Sequence, residues 1–252
     1  MSYLIFGSSV IGQSHIAMKR GIDDAYGFLQ KDDSAILIVA DGAGSAKYSK
    51  YGAEKIVDSF KYKFESSDYK SCPEKFIIET TEYARNEIEK MASNGLENIK
   101  KEYIKSYKDF ASTMIVVLAI GNKWYAGHIG DGASVRSYNN KFDIISPPYE
   151  SEYVNETVFI TSDNYKEFLN ITSGDNFNEI YAFTDGIQRG VIDVNNGIQK
   201  PFEPFFKYLS NFALSVDNVD EASNNINDML LNKFSEISDD DKTLVIMVNK
   251  GE

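Results

Sequence analysis

Aspartate recurs at the ends of apolar runs in this chain. The segment ILIVA runs into Asp41-Gly42, WYAGHIG into Asp131-Gly132 and IYAFT into Asp185-Gly186. Asp239-Asp240-Asp241 leads straight into KTLVIMV, and Ile22-Asp23-Asp24 precedes Ala25-Tyr26-Gly27-Phe28. Turn chemistry explains any one of these alone, because Asp bonds to nearby backbone and Gly accepts positive φ. Five such clusters beside apolar strands ask for more. Carboxylates brought close together repel one another and cost stability unless a cation neutralises them. Strand ends of stacked sheets converge on one rim. Aspartates gathered there, with a free glycine carbonyl, can hold two ions ~3.5–4 Å apart that share a hydroxide for in-line attack on phosphorus.

Other chemistries find little support. The 252 residues contain no Walker loop, GxGxxG, HExxH or GxSxG. Gly42-Ala43-Gly44-Ser45 is glycine-rich, but no GK[ST] follows it. With two histidines and one cysteine, a Cys/His zinc site finds little support, and a metal here is expected on carboxylates, which suit Mg²⁺ or Mn²⁺. A formal net charge of −12 argues against nucleic-acid or anionic-membrane partners and favours cations. The single cysteine, Cys72, cannot form an internal disulfide and predicts a reducing, cytoplasmic setting. MSYLIFGSSVIG lacks a basic leader, and the longest strongly apolar runs, Ala35–Ala40 and Met114–Ile120, are far below the ~20 residues of a membrane span. Cys72 and Trp124 read as structural, and His128 reads as a packed strand residue.

The elements that must position the aspartates follow from periodicity. No repeat, low-complexity block or linker breaks the chain, which reads as one domain, 1–252. Tyr3–Phe6, Ser8–Ile11, Asp24–Gln30 and Ala35–Ala40 predict strands. Tyr48–Lys63 has Tyr51, Ile56, Val57 and Phe60 on one helical face. Pro73 opens a second helix reaching Met91, with a further turn or two within Leu96–Lys105. Strands are expected over Ala111–Ile120, Lys123–Ile129, Ala133–Tyr138, Phe142–Ser146, Glu156–Thr161 and Glu179–Thr184. Gly121-Asn122 and Asn139-Asn140 serve as hairpin turns. Phe202–Leu214 and Val219–Phe234 predict helices, and Lys242–Val248 a last buried strand. Strands, two helices, strands, two helices and a strand make an α+β pattern of antiparallel sheets covered by helices. Ser146–Asn178 is polar with few clear elements and is the candidate for substrate selection.

The order of the motifs resembles the metal-dependent protein phosphatases of the PP2C type (the PPM family), in a bacterial branch. The matching pieces are Gly21–Ala25, Val39–Gly44, Ala111–Thr113, Gly127–Asp131, Phe183–Ile187 and Asp240–Thr243. The resemblance implies a four-layer αββα sandwich, two antiparallel sheets flanked by helices. It implies that Asp41 bridges two Mn²⁺ or Mg²⁺ ions, that the Gly42 carbonyl binds one of them, and that Asp185 and Asp240 complete the other shell. Asp23 would reach the second ion through water, Asp24 would position the attacking water, and Asp131 would hold a weak third ion. Ser112 and Thr113 would support these aspartates, and Thr243 would hold the Asp240 loop. Three departures stand out. Lys19, with Arg20 beside it, occupies the place of a phosphate-gripping arginine. Ala43 stands where a histidine follows the Asp-Gly in eukaryotic members. Arg189 replaces an acidic ligand of the third ion, which leaves that site incomplete or puts a cation on the phosphate. His15 is placed near the acidic pair and the phosphate, or in a turn.

These features imply a phosphoserine/phosphothreonine protein phosphatase acting on a phosphorylated protein, with a cognate Ser/Thr kinase as a second partner. The alternative is a PP2C-fold binding module, weak or inactive in catalysis, that recognises a phosphoprotein or kinase. Hydrolysis of a small phosphoester is a third reading.

Overall fold

The computed structural model describes residues 2–149, 157–195 and 197–251. Its strands are β1 (Tyr3–Val10), β2 (Ala25–Lys31), β3 (Ser34–Ala40), β4 (Met114–Ile120), β5 (Lys123–Ile129), β6 (Ala133–Tyr138), β7 (Lys141–Ser146), β8 (Asn170–Asp175), β9 (Glu179–Phe183), β10 (Ile192–Asn195), β11 (Ile198–Pro201) and β12 (Lys242–Asn249). Its helices are α1 (Gln13–Ala17), α2 (Ser49–Ser66), α3 (Pro73–Asn94), α4 (Tyr165–Phe168), α5 (Asp185–Val191), α6 (Glu203–Leu214) and α7 (Val219–Lys233). One antiparallel sheet runs β1-β12-β9-β6-β7 and the other β2-β3-β4-β5-β8, while β10 and β11 form a separate hairpin. No helix among the described residues is long and apolar enough to cross a membrane.

The layers follow from side chains alternating along each strand. On β3, Ile36, Ile38 and Ala40 join the core under α2 and α3, while Ala35, Leu37 and Val39 face the other sheet. On β12, Val245 and Met247 meet that same inter-sheet core, while Leu244, Ile246 and Val248 face α6 and α7. Both faces of these strands are covered, which explains unbroken apolar runs such as AILIVA. On the outside, α2 buries Ile56, Phe60 and Phe64, α6 buries Phe206 and Leu209, and α7 buries Ile226 and Leu230. Pro73 opens α3, and the Asn218 side chain caps α7 by accepting from Asp220 N and Glu221 N. The αββα sandwich expected from the sequence is the fold observed.

Several local expectations change. Tyr3–Phe6 and Ser8–Ile11 form one strand. Gly7 does not break it, because it lies so close to β12 that a Cβ there would be 2.5 Å from Leu244 O. After Gly95 (φ 82), the expected extra helix within Leu96–Lys105 is a Leu96–Ile99 bridge and a 3₁₀ turn at Lys101–Tyr103. The β4 strand starts at Met114 because Ala111, Ser112 and Thr113 pair with the Asp41–Ala43 loop instead. The expected strand Glu156–Thr161 is absent over 157–161, where Ser162 N turns back to Phe159 O; Glu156 lies outside the described residues. In contrast, polar β8 adds an edge to β5, a pairing that its own sequence does not advertise. Asn139 and Asn140 take positive φ of 51° and 60° in the β6–β7 turn, as the hairpin reading requires.

Candidate metal centre

Strand pairing gathers the aspartates at one end of the sandwich. Ala25 on β2 lies opposite Ala40 on β3, so Asp24 and Asp41 leave adjacent strands side by side. Phe183 on β9 is opposite Leu244 on β12 and Ala133 on β6, which places Asp185, Asp240 and Asp131 at neighbouring strand ends. Carboxylate oxygens of Asp41, Asp131 and Asp185 lie within 4.8 Å of one another. Burial and the charges of Asp24, Asp185, Asp240 and Asp131 all push the Asp41 carboxyl well above its usual range. Burial, with Asp241 nearby, raises Asp24 to about 8. Burial, with Asp131 and Asp240 nearby, raises Asp185 to about 6.

A hydrogen-bonded frame supports this cluster. Thr184 Oγ1 and Thr243 Oγ1 donate to Asp24 Oδ2 at 3.0 and 2.7 Å. Thr243 therefore holds Asp24, not the Asp240 loop expected from the sequence. Asp41 N donates to Thr113 Oγ1 at 3.0 Å, and Thr113 N donates to Asp41 O at 2.8 Å. Asp241 is the hub: its carboxylate accepts from Gly12 N at 2.7 Å, His15 Nδ1 at 2.9 Å and Asp23 N at 2.6 Å. The segments meet so closely that a Cβ on Gly186 would lie 2.0 Å from Asp241 O, and one on Gly42 2.6 Å from Asp23 O.

The donor set fits a hard divalent cation. Oδ1 of Asp24 and Oδ1 of Asp185 are buried without a hydrogen-bond partner, which is costly unless a cation or water meets them. The converging side chains are carboxylates, and neither histidine joins them: His15 is spent on Asp241, and His128 is buried on β5.

The other residues named from the sequence fall at varied places. Asp240 bears on the cluster through its charge and accepts from Asp241 N at 2.9 Å. Asp23 is engaged from the protein side, accepting from Arg20 Nη2 and from Ser49 Oγ at 3.1 Å. Arg20 also donates to Gly44 O at 2.6 Å and Ala46 O at 3.2 Å, tying the loop after Gly42 to Asp23. Lys19 is exposed in a left-handed backbone (φ 56), and buried His15 is hydrogen-bonded to Asp241. Arg189 is exposed one turn beyond Asp185, and its charge pulls the Asp185 carboxyl down against the larger opposing effects. Sequence reasoning missed Asp241, Thr184 and Thr157, whose Oγ1 donates to Asp131 Oδ2 at 2.6 Å. The run of three aspartates was the available signal for Asp241, but composition does not say which one turns inward. Asp241→Asn points an amide NH₂ at backbone or imidazole N–H donors. It should destabilise the fold by about 3 kcal/mol, read from urea midpoints at constant slope. A change under ~1 kcal/mol would deny Asp241 that role.

An αββα sandwich with acidic loops gathered at one rim is an arrangement suited to holding divalent cations. The sequence matches the family profile described as Protein phosphatase 2C over residues 11–231, so the chain belongs to this family of metal-dependent protein serine/threonine phosphatases. That match ends before Asp240. Serine/threonine-protein phosphatase 3 of Escherichia coli K12 is 28% identical, with 98% of each chain covered. Among solved structures, serine/threonine phosphatase Stp1 from Staphylococcus aureus superposes with a TM-score of 0.67 at 13% identity, covering 100% of this chain and 96% of that one. The Mycobacterium tuberculosis serine/threonine phosphatase PstP/Ppp gives 0.66 at 10% identity, with both chains fully covered. At such identities the structural likeness speaks for the fold.

Proposed function

We propose that residues 1–252 act as one phosphatase unit that hydrolyses phosphoserine and phosphothreonine in cytoplasmic proteins, reversing a cognate kinase. The observation that carries this reading is the convergence of Asp41, Asp131 and Asp185, with orphaned carboxylate oxygens beside them, in a chain of this family. Asp41, the Gly42 carbonyl, Asp185 and Asp240 would hold two Mn²⁺ or Mg²⁺ ions, with Asp23 reaching the second ion through water and Asp131 serving a weaker third. Such ions, when bound, neutralise phosphoryl oxygens and lower the pKa of water so that it attacks phosphorus near neutral pH.

The chain's own residues supply orientation. Thr184 and Thr243 fix one Asp24 oxygen and leave the other free to accept from the attacking water. Arg20 holds the Gly42–Ala46 loop in place rather than reaching outward. Arg189, whose charge acts on Asp185, and exposed Lys19 are the cations that would meet a phosphate. That commitment of Arg20 also favours a second reading, a binding module with little turnover. Hydrolysis of p-nitrophenyl phosphate and a phosphothreonine peptide, in Mn²⁺ and in chelator, separates the two. Turnover in Mn²⁺ that chelator abolishes is expected. Mn²⁺ binding without turnover on either substrate would favour the module, and no Mn²⁺ binding would refute the metal centre.

A further inference from the structure

We propose that the groove beside the metal centre, floored by Ala46, Ala111 and Phe159, receives an apolar side chain flanking the phosphorylated residue of the substrate protein. This specificity site rests on the phosphatase reading above. The groove encloses about 410 Å³ between the Ser45–Ala46 turn and residues 159–164. Its two walls belong to segments that also bear on the centre. Ala46 ends the loop that leaves Asp41-Gly42, and Ala43 N donates to Ala111 O at 3.0 Å. Phe159 stands two residues beyond Thr157, which donates to Asp131. Its ring packs on the buried methyls of Ala43, Ala46 and Ala111, so the floor is apolar.

The far wall is built before any substrate arrives. Ile160 N donates to Ser112 O at 2.9 Å, and Phe159 N donates to Ser162 Oγ at 3.1 Å. Arg85, on α3, donates to the carbonyls of Ile160 and Ser162 while its guanidinium lies 3.7 Å from the centroid of Tyr165. One side chain from the helical layer thus fixes the segment carrying both Phe159 and Thr157. A wall held this way pays little ordering cost when a peptide docks.

The groove's charged groups, Lys108, Asp109 and Asp163, each have a partner already. Lys108 Nζ lies 3.3 Å from Asp163 Oδ2, and the Asp109 carboxylate accepts from Lys105 N and Ser106 N. An acidic neighbour in the substrate would meet the two carboxylates Asp109 and Asp163, and a basic one would lie beside Lys108 and leave the Phe159 ring uncovered. An apolar side chain meets neither penalty and covers the Phe159 ring.

The test is a set of phosphothreonine peptides identical except for Leu, Ala, Lys or Asp at one position on either side of the phosphothreonine. The wild-type protein in Mn²⁺ should prefer Leu over Asp at one of these positions by about 10-fold or more in kcat/KM. Phe159→Ala, which removes the floor, and Ser45→Trp, which fills the space from an exposed position, should each flatten that preference. Turnover of p-nitrophenyl phosphate with no preference among the peptides overturns the groove and leaves the phosphatase reading intact. A preference for Lys or Asp, or a Leu preference untouched by both variants, also overturns it. If neither ester nor peptide turns over, the phosphatase reading fails. Kd values of the same peptides on the Mn²⁺-loaded protein then decide the groove: an apolar preference of similar size sustains it, and equal affinities overturn it.

Discussion

Asp185→Asn should lower Mn²⁺-dependent hydrolysis of p-nitrophenyl phosphate by about 10³-fold or more while leaving the chelated protein as stable as before, or more so. Asp185 is one of three carboxylates converging within 4.8 Å, and its Oδ1 has no protein partner. Without a cation, burial and the charges of Asp131 and Asp240 make its ionised form unfavourable, which is why its carboxyl rises to about 6. An amide removes that repulsion and can donate to Asp41, so folding gains where metal binding loses. Opposite movements of activity and stability are the mark of a residue kept for function. The two readouts are initial rates in Mn²⁺ and thermal midpoints in chelator. A variant within tenfold of wild-type activity would exclude Asp185 from the centre. A chelated midpoint several degrees lower would show that activity was lost through unfolding.

The second large effect couples cation and pH. Asp24 and Asp185 titrate near 8 and 6 in the folded chain, and Asp41 is raised as well, whereas unfolded aspartates titrate near ~3.9. Between those values the native state holds protons that the unfolded state has released. Stability contributed this way is complete below about pH 4 and is lost as pH rises through 6 to 8. His128 runs the other way. Burial lowers it to about 4, so its contribution is present above the unfolded value of ~6.5 and lost as pH falls toward 4. Three raised carboxylates outweigh one imidazole. The thermal midpoint of the chelated protein should therefore fall by ~5 °C or more from pH 5 to pH 8. Mn²⁺ should restore it, with a larger gain at pH 8 than at pH 5, because ligands must release protons to bind metal. Asp185→Asn should flatten the chelated slope. A Mn²⁺ gain equal at both pH values, or a chelated midpoint that climbs with pH, would contradict the clustering of these carboxylates.

Much of the architecture was legible because strands covered on both faces must be apolar throughout. AILIVA and KTLVIMV announce themselves for that reason, and the amphipathic faces of α2, α3, α6 and α7 are equally plain. Edge strand β8, with the sequence NITSGD, was not legible, since its backbone pairing with β5 is its main tie to the sheet. The short helix α5 was hidden for a related reason: it begins at Asp185 itself, so the Asp-Gly reads as a turn.

In the centre, the sequence by itself determined that Asp41, Asp131, Asp185 and an aspartate before the last strand stand at strand ends next to glycine or to more acid. The tertiary structure alone decided their division of labour. Asp240 bears on the cluster while its neighbour Asp241 turns inward to three N–H groups from residues more than 200 positions away. Arg20 faces inward and Lys19 outward because Lys19 takes a left-handed backbone turn. Strand ends are set by local hydrophobic pattern, which any stretch of sequence carries within itself. The partner of a buried polar atom is set by whichever distant segment the closed sandwich brings within about 3 Å, and no local pattern encodes that distance.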